Sequence, residues 1–342
     1  MTVTDTRHPS AWRPDDFASP DELSMDLTGR DIAILEDAIA PWRDDGGTVP
    51  DPVCREDVFL PGLEGTIDRL AAVLMEGRGV AIVRGFPVRD HDERTIALMY
   101  RAFCCRMGRL LSQSKRRERI GYVAHRPDRI LDLRGYERAG RQVLHTDMEA
   151  VLGMLCVRRA SEGGESRLAS ALAIHDEIRE SRPDLLEPLL KGFPVGWGEE
   201  PPERPTNGYS DYDVPVLSWN DGRISVCHLP PQVREAAELA GTTLTGAAAE
   251  SLDLFACMCE REDIVLTLAL NDGEAYFINN YNTLHARNAF TDEPGESRGR
   301  LMLRAWLDMP QPYPISRGLR LYYDDLKSAY GENMPAGDVF LP

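Results

Sequence analysis

The residues of this chain whose types and spacing could do chemistry begin with His145 and Asp147, in Leu144-His145-Thr146-Asp147, just before the apolar run Val151-Leu152-Gly153-Met154-Leu155-Cys156-Val157. If that run is a strand, side chains two apart at its mouth fall on one face, so the imidazole and the carboxylate can hold one ion together. Two ligands do not complete a site. The best third is His285, in Asn279-Asn280-Tyr281-Asn282-Thr283-Leu284-His285-Ala286-Arg287, at the end of the apolar segment Ala275-Tyr276-Phe277-Ile278. Two imidazoles and one carboxylate on one face of an octahedral ion leave positions open for a co-substrate and dioxygen, the arrangement of non-haem Fe(II) oxygenases. The remaining histidines, His8, His91, His125, His175 and His228, have no partner pattern and read as surface or hydrogen-bonded structural residues, with His175 beside Asp176 the one to inspect.

Ligands so far apart in sequence need a frame that brings their segments to one mouth. In the N-terminal third, a helix is expected from Thr28, whose hydroxyl pairs with Asp31 as a cap while Ile32, Leu35 and Ile39 share a face and Pro41 ends it. Asp44-Asp45-Gly46-Gly47 and the prolines at 50 and 52 make a connection. A second amphipathic helix carries Ile67, Leu70, Ala71 and Leu74 and stops at Gly77. Gly79 to Gly85 predicts a buried strand, and Ile96, Met99, Tyr100, Phe103 and Met107 form the core stripe of a third helix. From Val143 onward short strands alternate with turns, interrupted by helices at Pro183 to Leu190 and Ala247 to Cys259. Asn271-Asp272-Gly273-Glu274 between Ile264 to Leu270 and Ala275 to Ile278 is a hairpin-type signal, and Leu301 to Leu307 is the last core strand.

Strands come from both halves, and no repeat, low-complexity tract or long linker divides the chain. The expected fold class is therefore α+β: a double-stranded β-helix, the jelly roll that cupins use, flanked by helices. Residues 1–26, polar and broken by Pro9, Pro14 and Pro20, read as a loosely held arm, and residues 27–342 as one domain with its core at about 79–308.

With 342 residues, 42% of them hydrophobic, the chain can bury a sizeable core. A net charge of −17 argues against a general role on nucleic acid or an anionic membrane, which needs an excess of Lys and Arg on one face. Lys115-Arg116-Arg117 with Arg119 is short and diluted by Glu118; it reads as a solvated face, with a substrate-gating loop as the alternative. Seven cysteines, including Cys104-Cys105 and Cys257-x-Cys259 but no Cys-x-x-Cys, form neither a disulfide framework nor a zinc knuckle, so reduced thiols are expected. No run has the length of a signal-peptide core or a membrane span. The expectation is a cytoplasmic protein with a small-molecule substrate, compatible with a homo-oligomer.

Four segments in order, His145-Thr146-Asp147, Gly163-Gly164-Glu165-Ser166, Asn279 to His285 and Arg300-Leu301-Met302-Leu303-Arg304, resemble the motif series of the taurine dioxygenase (TauD/TfdA) family, Fe(II)- and 2-oxoglutarate-dependent oxygenases, over roughly Gly79 to Asp308. The resemblance implies that His145, Asp147 and His285 ligate iron and that Arg300 pairs its planar fork with the distal carboxylate of 2-oxoglutarate. It places Ser166 where taurine dioxygenase has a threonine donating to that carboxylate, although Gly163-Gly164 also reads simply as a turn. Arg304 matches the arginine that binds the sulfonate of taurine, the competing reading being an ion pair with a structural carboxylate such as Glu149. Four residues along a strand return a side chain to the same face, so Arg300 and Arg304 could share a pocket.

By the same resemblance, 2-oxoglutarate and O2 are consumed with release of succinate and carbon dioxide. Asp147 is kept where halogenating relatives have a small residue, which implies hydroxylation, or desaturation or ring closure from the same hydrogen abstraction, of a small acidic metabolite. Two other classes stay open on the residues alone: a non-catalytic binder of 2-oxoglutarate or another small acid, and a cupin-type hydrolase or isomerase using zinc or manganese. Ser166 with Arg300 argues against the latter, which needs no second carboxylate anchor. Substrate choice falls to the 109–142 and 193–230 segments, which carry no pattern that names it.

Overall fold

Alternation of burial along the strands explains the architecture. In Val151–Arg158, Val151, Leu155 and Val157 enter one apolar cluster while Leu152 and Cys156 enter another. Ala275 and Phe277 separate from Tyr276 and Ile278 in the same way, as Leu301, Leu303, Ala305 and Leu307 do from Met302 and Trp306. Strands buried on both faces require a layer on each side.

The computed structural model describes residues 8–43, 48–49, 55–113, 118–124, 139–198, 201–292, 299–329 and 339–340. One layer is a seven-stranded mixed sheet in which Val80–Arg84, Ala275–Asn279, Val151–Arg158 and Leu301–Asp308 run side by side, completed by Ser24–Asp26, Arg109–Leu110 and Ile120–Ala124. The second is a three-stranded sheet of Val265–Leu268, Ser166–Ser170 and Thr283–Arg287. Their inner faces meet in one cluster. The outer face of the larger sheet is covered by α1 (Gly29–Arg43), α2 (Glu64–Met75) and α3 (Glu93–Met107). The inner cluster is extended by α4 (Ala171–Ser181), α5 (Leu186–Lys191), α6 (Pro230–Leu239), α7 (Gly246–Met258) and α8 (Arg317–Ala329). This is the helix-flanked α+β jelly roll expected. No helix among the described residues is long and apolar enough to cross a membrane.

Several expectations need correcting. The arm is not loosely held over residues 8–26: Ala11, Trp12 and Phe17 are buried, and the Trp12 indole donates to the Arg78 carbonyl at 2.9 Å. Arg13 pairs with Glu177 at 2.5 Å and Asp263 at 3.0 Å, and Ser24–Asp26 adds a parallel strand beside Ile82 to Arg84. Two large aromatic side chains anchor a stretch whose apolar residues show no period. Helix α1 runs two residues past Pro41, which interrupts only the final turn, where few bonds remain to lose. Its start is as read, with Asp31 accepting from the Thr28 backbone at 2.8 Å.

The turn at residues 271–274 does not close a hairpin. Val265–Leu268 pairs with Ser166–Ser170 in the small sheet, whereas Ala275–Asn279 lies in the large one. The turn carries the chain from one layer to the other. Gly273, at φ +85°, is required there because a Cβ would lie 2.5 Å from the Phe86 carbonyl oxygen. The six cysteines among the described residues are free thiols, five of them buried. The 44–47 turn with the prolines at 50 and 52, the basic residues at 115–117 and His125 lie outside the described residues.

Candidate active site

The small sheet places the first and third candidate ligands together. His145 and His285 exchange backbone hydrogen bonds at 3.0 Å in both directions, an isolated bridge at the edge of Thr283–Arg287, and the Gln142 amide donates to the Arg287 carbonyl at 2.9 Å. Asp147 is fixed separately. The Asn280 side chain accepts from the Asp147 amide at 3.3 Å and donates to its carbonyl at 2.8 Å, and the Tyr323 hydroxyl of α8 donates to that carbonyl at 3.0 Å. The outcome is a cluster of His145, Asp147 and His285 whose potential ligand atoms all lie within 4.8 Å of one another. His145 Nε2 is 3.8 Å from Asp147 Oδ1, and His285 Nε2 is 3.6 Å from Oδ2.

Protonation in this cluster suits a metal ion. The Val143 carbonyl can only accept, so its 2.8 Å contact with His145 Nδ1 makes that nitrogen the donor and leaves the Nε2 lone pair directed at the cluster. Burial, then the neighbouring His285, lowers the His145 pKa to about 4, so the ring is neutral at pH 7. For Asp147, burial acts upward but is outweighed by the adjoining His285 and by Arg304, which hold the carboxyl well below its ordinary range. Neutral imidazoles and an ionised carboxylate are the forms that bind a divalent cation. His285 Nδ1 is buried without a hydrogen-bond partner.

The cluster opens into a cavity of about 220 Å³ between the two sheets, also lined by Ser166, Tyr276, Arg287, Arg300 and Arg304. Arg300 sits on the inner face of its strand's mouth, next to a register shift between Leu301 and Met302, a kind of irregularity that re-aims side chains near active sites. Its Nη1 is buried with no hydrogen-bond partner, and desolvation lowers its pKa. A buried guanidinium nitrogen in that state calls for an anion. Gly164, at φ +78°, closes on Arg300 so tightly that a Cβ would sit 3.1 Å from Nε, which is more than an incidental turn. Ser166 lines the same cavity from the opposite sheet, so the residues present fit iron and a dicarboxylate co-substrate.

Arg304 faces the same cavity. Its Nε donates to Gln113 Oε1 at 2.8 Å, its guanidinium covers the Trp306 ring at 4.1 Å, and Nη1 lies 3.9 Å from Asp147 Oδ2. Glu149, its competing partner, is fully buried, and neither of its carboxyl oxygens makes a hydrogen bond; burial and Asp147 push its pKa up, which favours the neutral acid. Arg287 was missed in the sequence reading although the signal existed: it is two residues beyond His285 on the same strand, and alternation puts both in the cavity. Tyr276, turned to the inner face of its strand, lines the cavity as well.

His175 is structural: it contacts Asp176 at 3.1 Å and accepts from the Trp219 indole at 3.4 Å. His228, 2% exposed, packs against Phe255 with ring centroids 4.4 Å apart and the planes tilted by 36°, and burial, then His145, lowers its pKa to about 3. An unfolded histidine takes its proton near pH 6.5, so the unfolded state binds more protons between that pH and 3, and stability falls as pH drops through the window. His228→Phe should keep the ring contact and spare about 1.4 kcal/mol of the loss between pH 7.5 and pH 5.5. Urea midpoints at the two pH values measure this, and equal losses in parent and variant would assign the acid sensitivity to other groups.

The family model "Taurine catabolism dioxygenase TauD, TfdA family" matches residues 48–306. The chain is 26% identical over 321 residues to the taurine hydroxylase-like protein SAT17 of Stachybotrys chartarum, covering 86% of this chain and 77% of that protein. It is 24% identical over 267 residues to FR-33289 synthase of Streptomyces rubellomurinus, covering 75% and 76%. Among solved structures, asparagine oxygenase with Fe(II), 3-hydroxyasparagine and succinate superposes at a TM-score of 0.63 with 16% identity, covering 83% of this chain and 93% of that one. The non-haem iron oxygenase OrfP with Fe and alpha-ketoglutaric acid gives 0.60 at 14% identity, with the same coverage.

Proposed function

This chain belongs to the taurine catabolism dioxygenase TauD, TfdA family, and from that premise we propose that it oxidises an unactivated C–H bond of a small acidic metabolite, chiefly by hydroxylation, with desaturation or ring closure as variants of the same hydrogen abstraction. It is a 2-oxoglutarate-dependent dioxygenase whose cofactors are Fe(II), 2-oxoglutarate and O2. That activity sets aside the silent-binder and cupin-hydrolase readings.

In this reading His145 Nε2, the Asp147 carboxylate and His285 Nε2 hold the iron. When bound with 2-oxoglutarate and dioxygen, the metal supplies the oxidising power that no side chain has. The chain's own work is placement. Arg300 and Ser166 take the distal carboxylate of 2-oxoglutarate, the first through its fork and the second through its hydroxyl. Met154 and Val123 give the cavity apolar walls that exclude water from the reacting centre. The Val143 carbonyl holds the His145 ring, and Asn280 and Tyr323 hold the backbone of Asp147, so both ligands are oriented before anything binds.

The observation that carries the acidic-substrate reading is the place of Arg304. It points into the cavity alongside Arg300, and Asp147, the carboxylate nearest to it there, is also needed by the metal. An anionic group on the substrate completes the charge balance. Arg304→Gln should therefore abolish substrate-dependent succinate release while leaving the slow, substrate-free decarboxylation of 2-oxoglutarate in place. Assays with candidate carboxylates and with none separate the two. Loss of both activities would assign Arg304 to the co-substrate or the core, and retention of both would leave the acidic-substrate reading without support.

A further inference from the structure

We infer that Trp306 is a positioning residue for the metal carboxylate: its indole N–H holds one oxygen of Asp147, so that the carboxylate offers the metal only the other. The inference rests on Asp147 being a ligand, as proposed above. Trp306 lies two residues beyond Arg304 on Leu301–Asp308, which turns it to the same inner face. It is 5% exposed, and its Nε1 donates to Asp147 Oδ2 at 3.0 Å. Indole nitrogen is a donor only, so the direction of this bond is unambiguous.

Three further observations define what the bond does. The backbone of Asp147 is already fixed by Asn280 and Tyr323, which leaves side-chain rotation as its remaining freedom. The indole removes it. Oδ1 receives no hydrogen bond among the described residues and lies 3.8 Å from His145 Nε2, whereas Oδ2, 3.6 Å from His285 Nε2, is the oxygen that the indole occupies. Finally, the Arg304 guanidinium stands 4.1 Å above the indole ring, and a cation over the ring draws electron density from it and makes the N–H a better donor.

The chemical consequence concerns coordination number. One carboxylate oxygen and two imidazole nitrogens would take three positions of an octahedral ion and would leave three for a co-substrate and one more ligand. A carboxylate binding through both oxygens would remove one of these. Tying Oδ2 to an indole N–H keeps the third position available, and outer partners of this kind are commonly worth 10- to 100-fold in metal affinity.

The test uses the full chain and Co(II) as the probe, with His285→Ala as a control that reports whether the three-residue site exists at all. Co(II) binding in the parent that is lost in His285→Ala upholds the site; Trp306→Phe then tests the indole alone, because it keeps a ring beneath Arg304 and deletes the N–H. We expect Co(II) to bind Trp306→Phe about 10- to 100-fold more weakly, with altered d–d band intensities at saturation. The metal-free melting temperature should stay within a few degrees of the parent. Trp306→His, which restores a ring N–H, should recover part of the affinity. Parental affinity together with an unchanged spectrum in a folded Trp306→Phe overturns the inference. Should that variant not fold, the parent labelled with ¹⁵N-tryptophan decides: the indole N–H most shifted by Co(II) relative to Zn(II) should be slow to exchange with D2O, and rapid exchange there is equally contradictory.

Discussion

Replacing His285 by alanine, or His145 by alanine, should yield a folded protein that binds Fe(II) weakly and has no measurable turnover. Each histidine supplies one of three proposed ligands, and losing one should exceed the 10- to 100-fold cost typical of an outer-shell partner. The fold should survive because neither ring fills the core. Both line the cavity, and the backbone bridge between positions 145 and 285 does not depend on their side chains. Circular dichroism and melting temperature report the fold, while iron content and succinate release report the site. An alanine variant with full activity and stoichiometric iron would remove that residue from the ligand set.

Arg300→Lys should raise the 2-oxoglutarate concentration needed for half-maximal activity by tenfold or more. The charge is kept, but the two parallel bonds of a planar fork are replaced by one from a compact ammonium, a loss of roughly 1.5–3 kcal/mol for a charged hydrogen bond. The unpartnered, buried Nη1 and the close packing of Gly164 leave lysine no equivalent geometry. Titration of 2-oxoglutarate at saturating iron measures it. An unchanged dependence would transfer the anchor to Arg287, which lines the same cavity and stands over the same Phe290 ring, 4.7 Å from its centroid against 5.1 Å for Arg300.

Part of the candidate site was legible in short-range rules, and Arg300, Ser166 and Arg304 were legible through the resemblance of the motif series. Strand alternation is enough to put Arg300 and Arg304 on one face, and the same rule, carried two residues further, would have found Arg287 and Trp306; His145 and Asp147 meet instead through an isolated bridge and the contacts of Asn280 and Tyr323. What was not legible depends on contacts distant in sequence. Trp12 and Phe17 look like isolated aromatics in a polar arm until Arg78 and the inner cluster meet them. The 271–274 turn has hairpin chemistry, yet Phe277 and Tyr276 bury their two faces between a helix layer and the opposite sheet, so their strand joins the large sheet and not its sequence neighbour. Asn280 and Tyr323, which hold Asp147 in place, lie 133 and 176 residues from it. No local pattern announces such partners.

The central claim, that His145, Asp147 and His285 gather iron beside an Arg300-bound 2-oxoglutarate, is tested most directly by anaerobic addition of Fe(II) and 2-oxoglutarate to the metal-free protein. Chelation of the keto acid by the iron gives a visible metal-to-ligand charge-transfer band. The account predicts that band in the parent, its absence in His285→Ala, and its appearance only at higher 2-oxoglutarate concentrations in Arg300→Lys; a band of parental strength and affinity in His285→Ala would contradict it.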